Sequence, residues 1–421
     1  MRYTLVATAV LVAAAVNAGA ATLAIAGRAN STPSLAAANR FVAVAWGAMR
    51  ADGTSDVYAA ISHDGARTFA APTRVNDVVG QASLGAEQPP RVALVPRAGR
   101  DPEVLIVWTA KSQSGTRLLY SRSGDGGVSF THATSMPGTD AAGNRGWEST
   151  AVDHGGHPIA VWLDHREMAH SGGASHTQHE GHDHAGADAQ KMDGAARAQG
   201  SRLYFGSVDN VPGAHALAAG VCYCCKTALA SGPDGAIFAA WRHVYAGNIR
   251  DIAFTMSRDG GRTFTAPARV SDDGWILDGC PENGPSLAVG ADNVVHVVWP
   301  TLVAGATADA EPALALFHAT TRDGLRFSPR ERIATEGTPR HPQLTATSAG
   351  LVAAWDEQTA SGLPRVVLAR LRRGSGPAGV SREIVSGSAR AQTPAIAASS
   401  EGVVIAWAEG TEPSVIRVER R

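Results

Sequence analysis

The sequence predicts an all-β propeller of seven four-stranded blades, with a six-bladed ring carrying one irregular unit as the alternative. Three observations carry that expectation: a recurring hairpin turn, a recurring strand that ends in tryptophan, and the regular spacing of those strands. The turn occurs as Ser62-His63-Asp64-Gly65-Ala66-Arg67-Thr68-Phe69, as Ser123-Gly124-Asp125-Gly126-Gly127-Val128-Ser129-Phe130 and as Ser257-Arg258-Asp259-Gly260-Gly261-Arg262-Thr263-Phe264. A degraded copy runs Thr321-Arg322-Asp323-Gly324-Leu325-Arg326-Phe327. The Asp carboxylate can accept from nearby backbone N–H groups, the glycines supply positive φ, and the final Phe can tuck between sheets.

The tryptophan strands are short runs of small and β-branched residues ending at Trp46, Trp108, Trp162, Trp241, Trp299, Trp355 and Trp407. Successive copies lie roughly 52 to 62 residues apart, with one gap of about 79, which is close to the period of a four-stranded blade. Each unit reads as an inner strand A, the Trp strand B, a strand C, the turn, and an outer strand D. Strand A opens near Pro33-Ser34-Leu35 in the first unit and Gln392-Thr393-Pro394 in the last; Val57–Ile61 serves as a strand C and Pro267–Val270 as a strand D. The last unit runs out after strand C, so residues around Thr22–Ala26 are expected to supply its outer strand and close the ring.

The turn resembles the Asp-box (BNR) repeat, Ser-x-Asp-x-Gly-x-x-Trp/Phe, of the sialidase-like β-propellers; the first copy departs from it at Ala66, where Gly is usual. The resemblance implies the fold more strongly than an activity, because the turn is structural and one fold hosts many functions. Sialidases of this kind have six blades. They hold a substrate carboxylate with three arginines and use a Tyr nucleophile helped by a Glu, with an Asp as acid/base. Their early Phe/Tyr-Arg-Ile/Leu-Pro motif is absent here; Ala38-Asn39-Arg40-Phe41-Val42 is the nearest segment. Residues that could serve glycoside chemistry are Arg91, Arg242, Arg340, Tyr245, Asp164, Glu148 and Glu282, but none matches the family spacing.

Composition narrows the remaining classes. Arg2, the apolar run Leu5–Val16 and Ala18-Gly19-Ala20 read as a signal peptide over residues 1–20, which leaves 21–421 as one propeller domain. The apolar run is short for a membrane span and no other long one occurs, so a periplasmic or secreted protein, a monomer without a membrane span, is expected. A formal net charge of −1 with dispersed arginines gives no reason to expect nucleic acid.

Antiparallel blades place the D-to-A and B-to-C connections on one face and the Asp turns on the other. All four cysteines fall at the starts of strand A: Cys222, Cys224 and Cys225 before blade 4, and Cys280 before blade 5. The long B-to-C loop of blade 3, an insertion at 165–193, carries His165, His170, His176, His179, His182 and His184 on the same face, along with Met168 and Met192. His243 and His341 follow from blades 4 and 6. An even cysteine number in an exported chain allows two disulfides. Thiolate, thioether and imidazole ligands equally suit copper, or zinc as the alternative. A mixed state, one disulfide beside a dithiol pair open to redox switching, is a third reading.

The expected function is therefore binding of a soft transition metal by this Cys/His cluster, in metal handling or metalloprotein assembly, without catalysis and with a periplasmic protein partner. Two rival expectations stand beside it: a sialidase-like exo-glycosidase, and a disulfide-stapled protein- or glycan-binding scaffold.

Overall fold

The computed structural model describes residues 20–168, 194–304, 311–360, 362–371 and 380–421. Seven four-stranded antiparallel sheets form the ring, which agrees with the seven-bladed expectation. Blades are numbered by their tryptophans, from Trp46 in blade 1 to Trp407 in blade 7. Blade 4 is built from Ala228–Ser231, Ile237–Arg242, Ile252–Ser257 and Ala268–Arg269, and blade 5 from Ser286–Val289, Val295–Val303, Ala313–Thr321 and Glu331–Ile333. Blade 7 joins the chain ends. Its strands Ala391–Ser399, Gly402–Glu409 and Val415–Arg420 are completed by Ala20–Leu23, which pairs antiparallel with the last strand, Ala20 opposite Glu419. The closing strand begins at Ala20, slightly before the stretch expected from the sequence. Residues 1–19, where most of the signal peptide is expected, lie outside the described residues.

Each strand B is apolar on both faces because it lies inside the blade with neighbours on either side. The seven tryptophans are at most 1% exposed. Each packs into the apolar cluster shared with the preceding blade, as Trp46 does with Val404 and Val418 of blade 7, and Trp299 with Phe238 and Phe254 of blade 4. The core is thus seven interblade clusters around the ring. Burying an indole also buries its N–H, which needs an acceptor. The residue two positions on supplies it in several blades: Asp164, His243, Glu357 and Glu409 accept from Trp162, Trp241, Trp355 and Trp407.

The recurring turns lie at the ends of strand C, and their Asp residues act as expected. Asp259 Oδ1 accepts from the Arg262 and Thr263 N–H groups at 3.0 and 2.9 Å, and Oδ2 from the Thr263 hydroxyl at 2.6 Å. The same bonds recur at Asp64. These bonds to the ionised form hold the Asp125 carboxyl down at about 2. The second turn glycine has positive φ and also packs tightly: a Cβ on Gly127 would meet Ile61 Cγ1 at 2.3 Å, and one on Gly261 would meet Phe205 Cε1 at 2.3 Å. Blade 1 instead holds Ala66 at φ 67, its methyl buried in the cluster shared with blade 7.

Strands A line the central channel and are stitched blade to blade. Ser34 Oγ accepts from Val92 N at 3.1 Å, Ser149 Oγ donates to Thr227 O at 2.7 Å, and Ser286 Oγ accepts from Leu344 N at 2.9 Å. They enclose a channel cavity of about 170 Å³. Four strands A carry a bulge near their start, where Thr32, Trp147, His341 and Thr393 adopt positive φ.

Gly261→Ala is expected to lower stability by about 2 kcal/mol or more, combining left-handed strain with overpacking on Phe205. Chemical denaturation measures it, with Ala66→Gly as the reverse change: it introduces glycine at the equivalent turn position of blade 1 and so adds no steric conflict.

Candidate functional site

The cysteines lie in the lead-ins to blades 4 and 5, on the face that carries the B-to-C loops. Val221–Thr227 crosses in front of strand A of blade 4 and is anchored by Cys222 N, which donates to Arg242 O at 2.9 Å. Apart from an isolated bridge between Val221 and His243, the segment is turn and loop and does not extend the strand. Instead it folds its three cysteines inward, where Cys222, Cys224 and Cys225 are 1%, 6% and 2% exposed. Their sulfurs form a triangle: Cys222–Cys225 3.7 Å, Cys222–Cys224 3.8 Å and Cys224–Cys225 4.0 Å.

Cys224 is also bonded to Cys280 in a disulfide that joins the two lead-ins, while Cys222 and Cys225 are buried thiols. The covalent arrangement is therefore that of the mixed reading, one disulfide beside two thiols. The two lead-ins are adjacent, as blade order required, but nothing local in the sequence favoured Cys224 over its neighbours as the partner of Cys280. Cys280 itself is exposed.

The cluster is packed by Val244 and by a short helix, Gly194–Gln199, whose Ala198 is fully buried against it. This helix returns the chain from the His-rich loop. A Cβ on Gly200 would meet Met168 Cγ at 2.8 Å, so the two stems of that loop touch beside the cysteines. His170, His176, His179, His182 and His184 lie outside the described residues.

Two buried guanidiniums balance the thiols. Arg250 Nη1 donates to Cys222 Sγ at 3.1 Å, and its Nε donates to Leu277 O at 2.7 Å in the blade 5 lead-in. Arg242 donates to Asn283 O, Arg250 O and Pro300 O, and stacks over Trp275. Burial alone would raise the Cys222 thiol, but the Cys225 hydrogen bond and the charges of Arg250 and Arg242 outweigh it, so Cys222 is the more acidic thiol. Burial pushes Cys225 up, and the neighbouring Cys222 pushes it further.

A second polar group lies at the channel mouth. Glu87 Oε2 reaches across from the blade 2 lead-in and accepts from Lys226 N at 2.9 Å and Gly284 N at 2.7 Å. Lys226 is 3% exposed and donates to Pro342 O; burial pushes its amine down to about 8. His341 is desolvated, which favours the neutral ring. The Asp356 carboxylate at 2.7 Å more than offsets this and holds the imidazole above its ordinary range.

The remaining candidate residues are dispersed. His165 packs on Trp147 with ring centroids 5.3 Å apart. His243 accepts from Trp241 and is driven down to about 4 by burial and by Arg269. Among the described residues, the His/Cys/Asp/Glu group tight enough for one ion contains Cys222, Cys224 and Cys225 and no histidine. Arg91 donates to Glu148 O, Arg340 and Glu282 are exposed, and Asp164 pairs with Arg145 and Arg166. Burial raises Tyr245 to about 12, the direction opposite to that of an activated nucleophile. Arg40 lies in the A-to-B turn of blade 1, on the opposite face, paired with Glu401.

The sequence reading overlooked Glu87, Arg250 and Asp356. Glu87 and Arg250 sit in D-to-A and B-to-C connections, so the same face rule that found the cysteines would have found them.

Glu148 is fully buried and pushed up to about 7 by desolvation. A carboxyl raised in the folded state makes that state bind more protons than the unfolded chain. Stability is then expected to fall as pH rises from about 4.5 to about 7, by on the order of 3 kcal/mol. Glu148→Gln should flatten that slope in urea titrations run at pH 5 and pH 8.

No family model matches the chain, and no curated protein matches it. Solved structures do. Polysaccharide lyase Uly1 superposes with a TM-score of 0.54 at 11% identity, covering 94% of this chain and 91% of the lyase. The α-L-arabinofuranosidase Arb93A of Fusarium graminearum gives 0.51 at 11% identity, with 93% of each chain covered. The Hadza microbial sialidase Hz136 gives 0.50 at 11% identity, covering 87% of this chain and 73% of the sialidase. At these identities the likeness is one of fold: the chain shares its propeller architecture with sialidases and other propeller glycosidases and lyases.

Proposed function

We propose that this chain is an exported β-propeller that binds a soft transition metal, copper(I) above zinc, at Cys222, Cys225 and Cys224, in metal handling or metalloprotein assembly. The observation that carries the reading is the sulfur triangle. A metal–thiolate bond of about 2.3 Å places sulfurs about 3.8 Å apart in a tetrahedral site and about 4.0 Å apart in a trigonal one. The three separations, 3.7, 3.8 and 4.0 Å, lie close to these values.

Three sulfurs without a nitrogen or carboxylate in the group favour three-coordinate copper(I) over zinc, which takes four ligands. Arg250 and Arg242 would offset the negative charge that three thiolates bring to a dry site. The His-rich loop leaves and returns beside the cysteines, which suits a role in gathering ions for them.

Arg242 uses its guanidinium on backbone carbonyls, Arg91 donates from Nε to Glu148 O, and burial drives Tyr245 away from the ionised form, so the glycosidase reading is ranked second. Hydrolysis of a fluorogenic sialoside, lost in Tyr245→Phe, would reverse this ranking.

The fully reduced protein is expected to bind one equivalent of copper(I) at the cysteines and to lose it in Cys222→Ser and in Cys225→Ser, read by elemental analysis after desalting. Deletion of residues 170–192 is expected to reduce the additional metal bound while keeping that equivalent. Unchanged total stoichiometry would remove the loop from the account.

A further inference from the structure

We infer that the Cys224–Cys280 disulfide is a redox gate on the three-sulfur site, opened from solvent by a thiol reductant attacking Cys280. The inference rests on the metal reading above and adds its regulation. A disulfide sulfur is a poor ligand, so in the observed state the triangle offers two thiols and a blocked corner. The blocked corner, Cys224, already stands 3.8 and 4.0 Å from the other two sulfurs. Breaking one bond completes the ligand set without moving the backbone of the Cys222–Cys225 segment.

The two halves of the disulfide differ in access. Cys224 is 6% exposed and packed under Val244 and Ala198, whereas Cys280 is exposed in the blade 5 lead-in. Thiol–disulfide exchange needs the attacking thiolate to reach a sulfur from outside. A solvent thiolate therefore bonds to Cys280 Sγ, the Cys224–Cys280 bond breaks, and its electron pair leaves on Cys224 Sγ. A second reductant thiolate then attacks the mixed disulfide, forming the reductant's own disulfide and releasing Cys280 as a thiolate. Two electrons pass from the two reductant thiols to the protein.

The product geometry favours this direction of opening. Cys224 departs into a site flanked by Arg250 and Arg242, whose charges favour a thiolate, and it lands among ligands placed for one ion. Cys280 remains on the outside, a sulfur that is attacked and released and takes no part in coordination. Reducing conditions would then load the site. Exchange with a low-molecular-weight disulfide, which takes up the two electrons and leaves as two thiols, would re-form Cys224–Cys280, withdraw a ligand and discharge the metal.

The test begins with glutathione added to the disulfide form, acid quenching and peptide mass spectrometry. Glutathione is expected on Cys280; glutathione on Cys224 instead overturns the route. Copper(I) affinity is then measured against a chromophoric chelator, with ascorbate maintaining copper(I) and leaving the disulfide intact. Reduced, desalted protein is expected to bind about tenfold or more tightly than the disulfide form. Cys280→Ser should match the reduced protein without pretreatment. Equal affinity of the two wild-type forms removes the gate but keeps the metal site. Absence of copper from the reduced protein removes the metal site and the gate with it. The comparison of wild-type forms decides the matter even if Cys280→Ser folds poorly.

Discussion

Closure of the ring is the constraint on which everything else in this molecule depends. Each blade buries its tryptophan against the blade before it, so no blade is complete alone and blade 1 needs blade 7. The seam is made by Ala20–Leu23 on Val415–Arg420, and it is locked by Asn30. The Asn30 amide donates to Ser414 O at 2.8 Å, and Ser414 Oγ donates back to Asn30 O at 2.7 Å. Asn30 Oδ1 also accepts from Trp46 Nε1, so one side chain satisfies a core indole and fastens residues 384 apart in sequence. Such non-local closure is entropically expensive to reach and cooperative once made.

Closure also gathers charge. Seven lead-ins are brought around one mouth, and several of their polar side chains partner one another. The outcome is a set of polar pairs: buried Lys226 beside Glu87, half-buried His341 on Asp356, and Arg250 on the Cys222 thiol. An unbalanced charge at such a place is costly. Arg242 and Arg250 form the cationic side of the cysteine cluster and would offset the thiolate charge of the metal-bound form proposed above. Their guanidiniums are fixed by Asn283, Pro300 and Leu277 carbonyls and do not have to be recruited.

The fold was legible because its determinants are local and repeated. Tryptophan at the end of strand B and Asp-Gly in the C-to-D turn each act within a few residues, so seven Trp copies could be counted and the faces assigned. The clustering of Cys222, Cys224, Cys225 and Cys280 followed from the same face rule. What the sequence could not disclose is which side chain finds which across the ring. Three cysteines within four residues are chemically alike; only the fold of the Val221–Thr227 segment decides that Cys224 meets Cys280. His243 and His341 were candidates by type; the fold engages their Nδ1 atoms with Trp241 and Asp356, and among the described residues the tight ligand group is Cys222, Cys224 and Cys225. Glu87 and Arg250 carry no motif at all, and their roles come entirely from tertiary neighbours.

Glu87 has a consequence of its own. A single carboxylate oxygen holds the backbone N–H of Lys226 in one lead-in and of Gly284 in the next, and the carboxylate belongs to a third blade on the other side of the mouth. Lys226 directly follows the cysteines, and Gly284 follows Cys280 by four residues. The separation of the two lead-ins is therefore gauged by a residue that touches neither sulfur. Whatever changes that spacing must either break a charge-assisted bond or displace the blade 2 loop, which makes the loop at Glu87 a mechanical reporter of what happens at the cysteines.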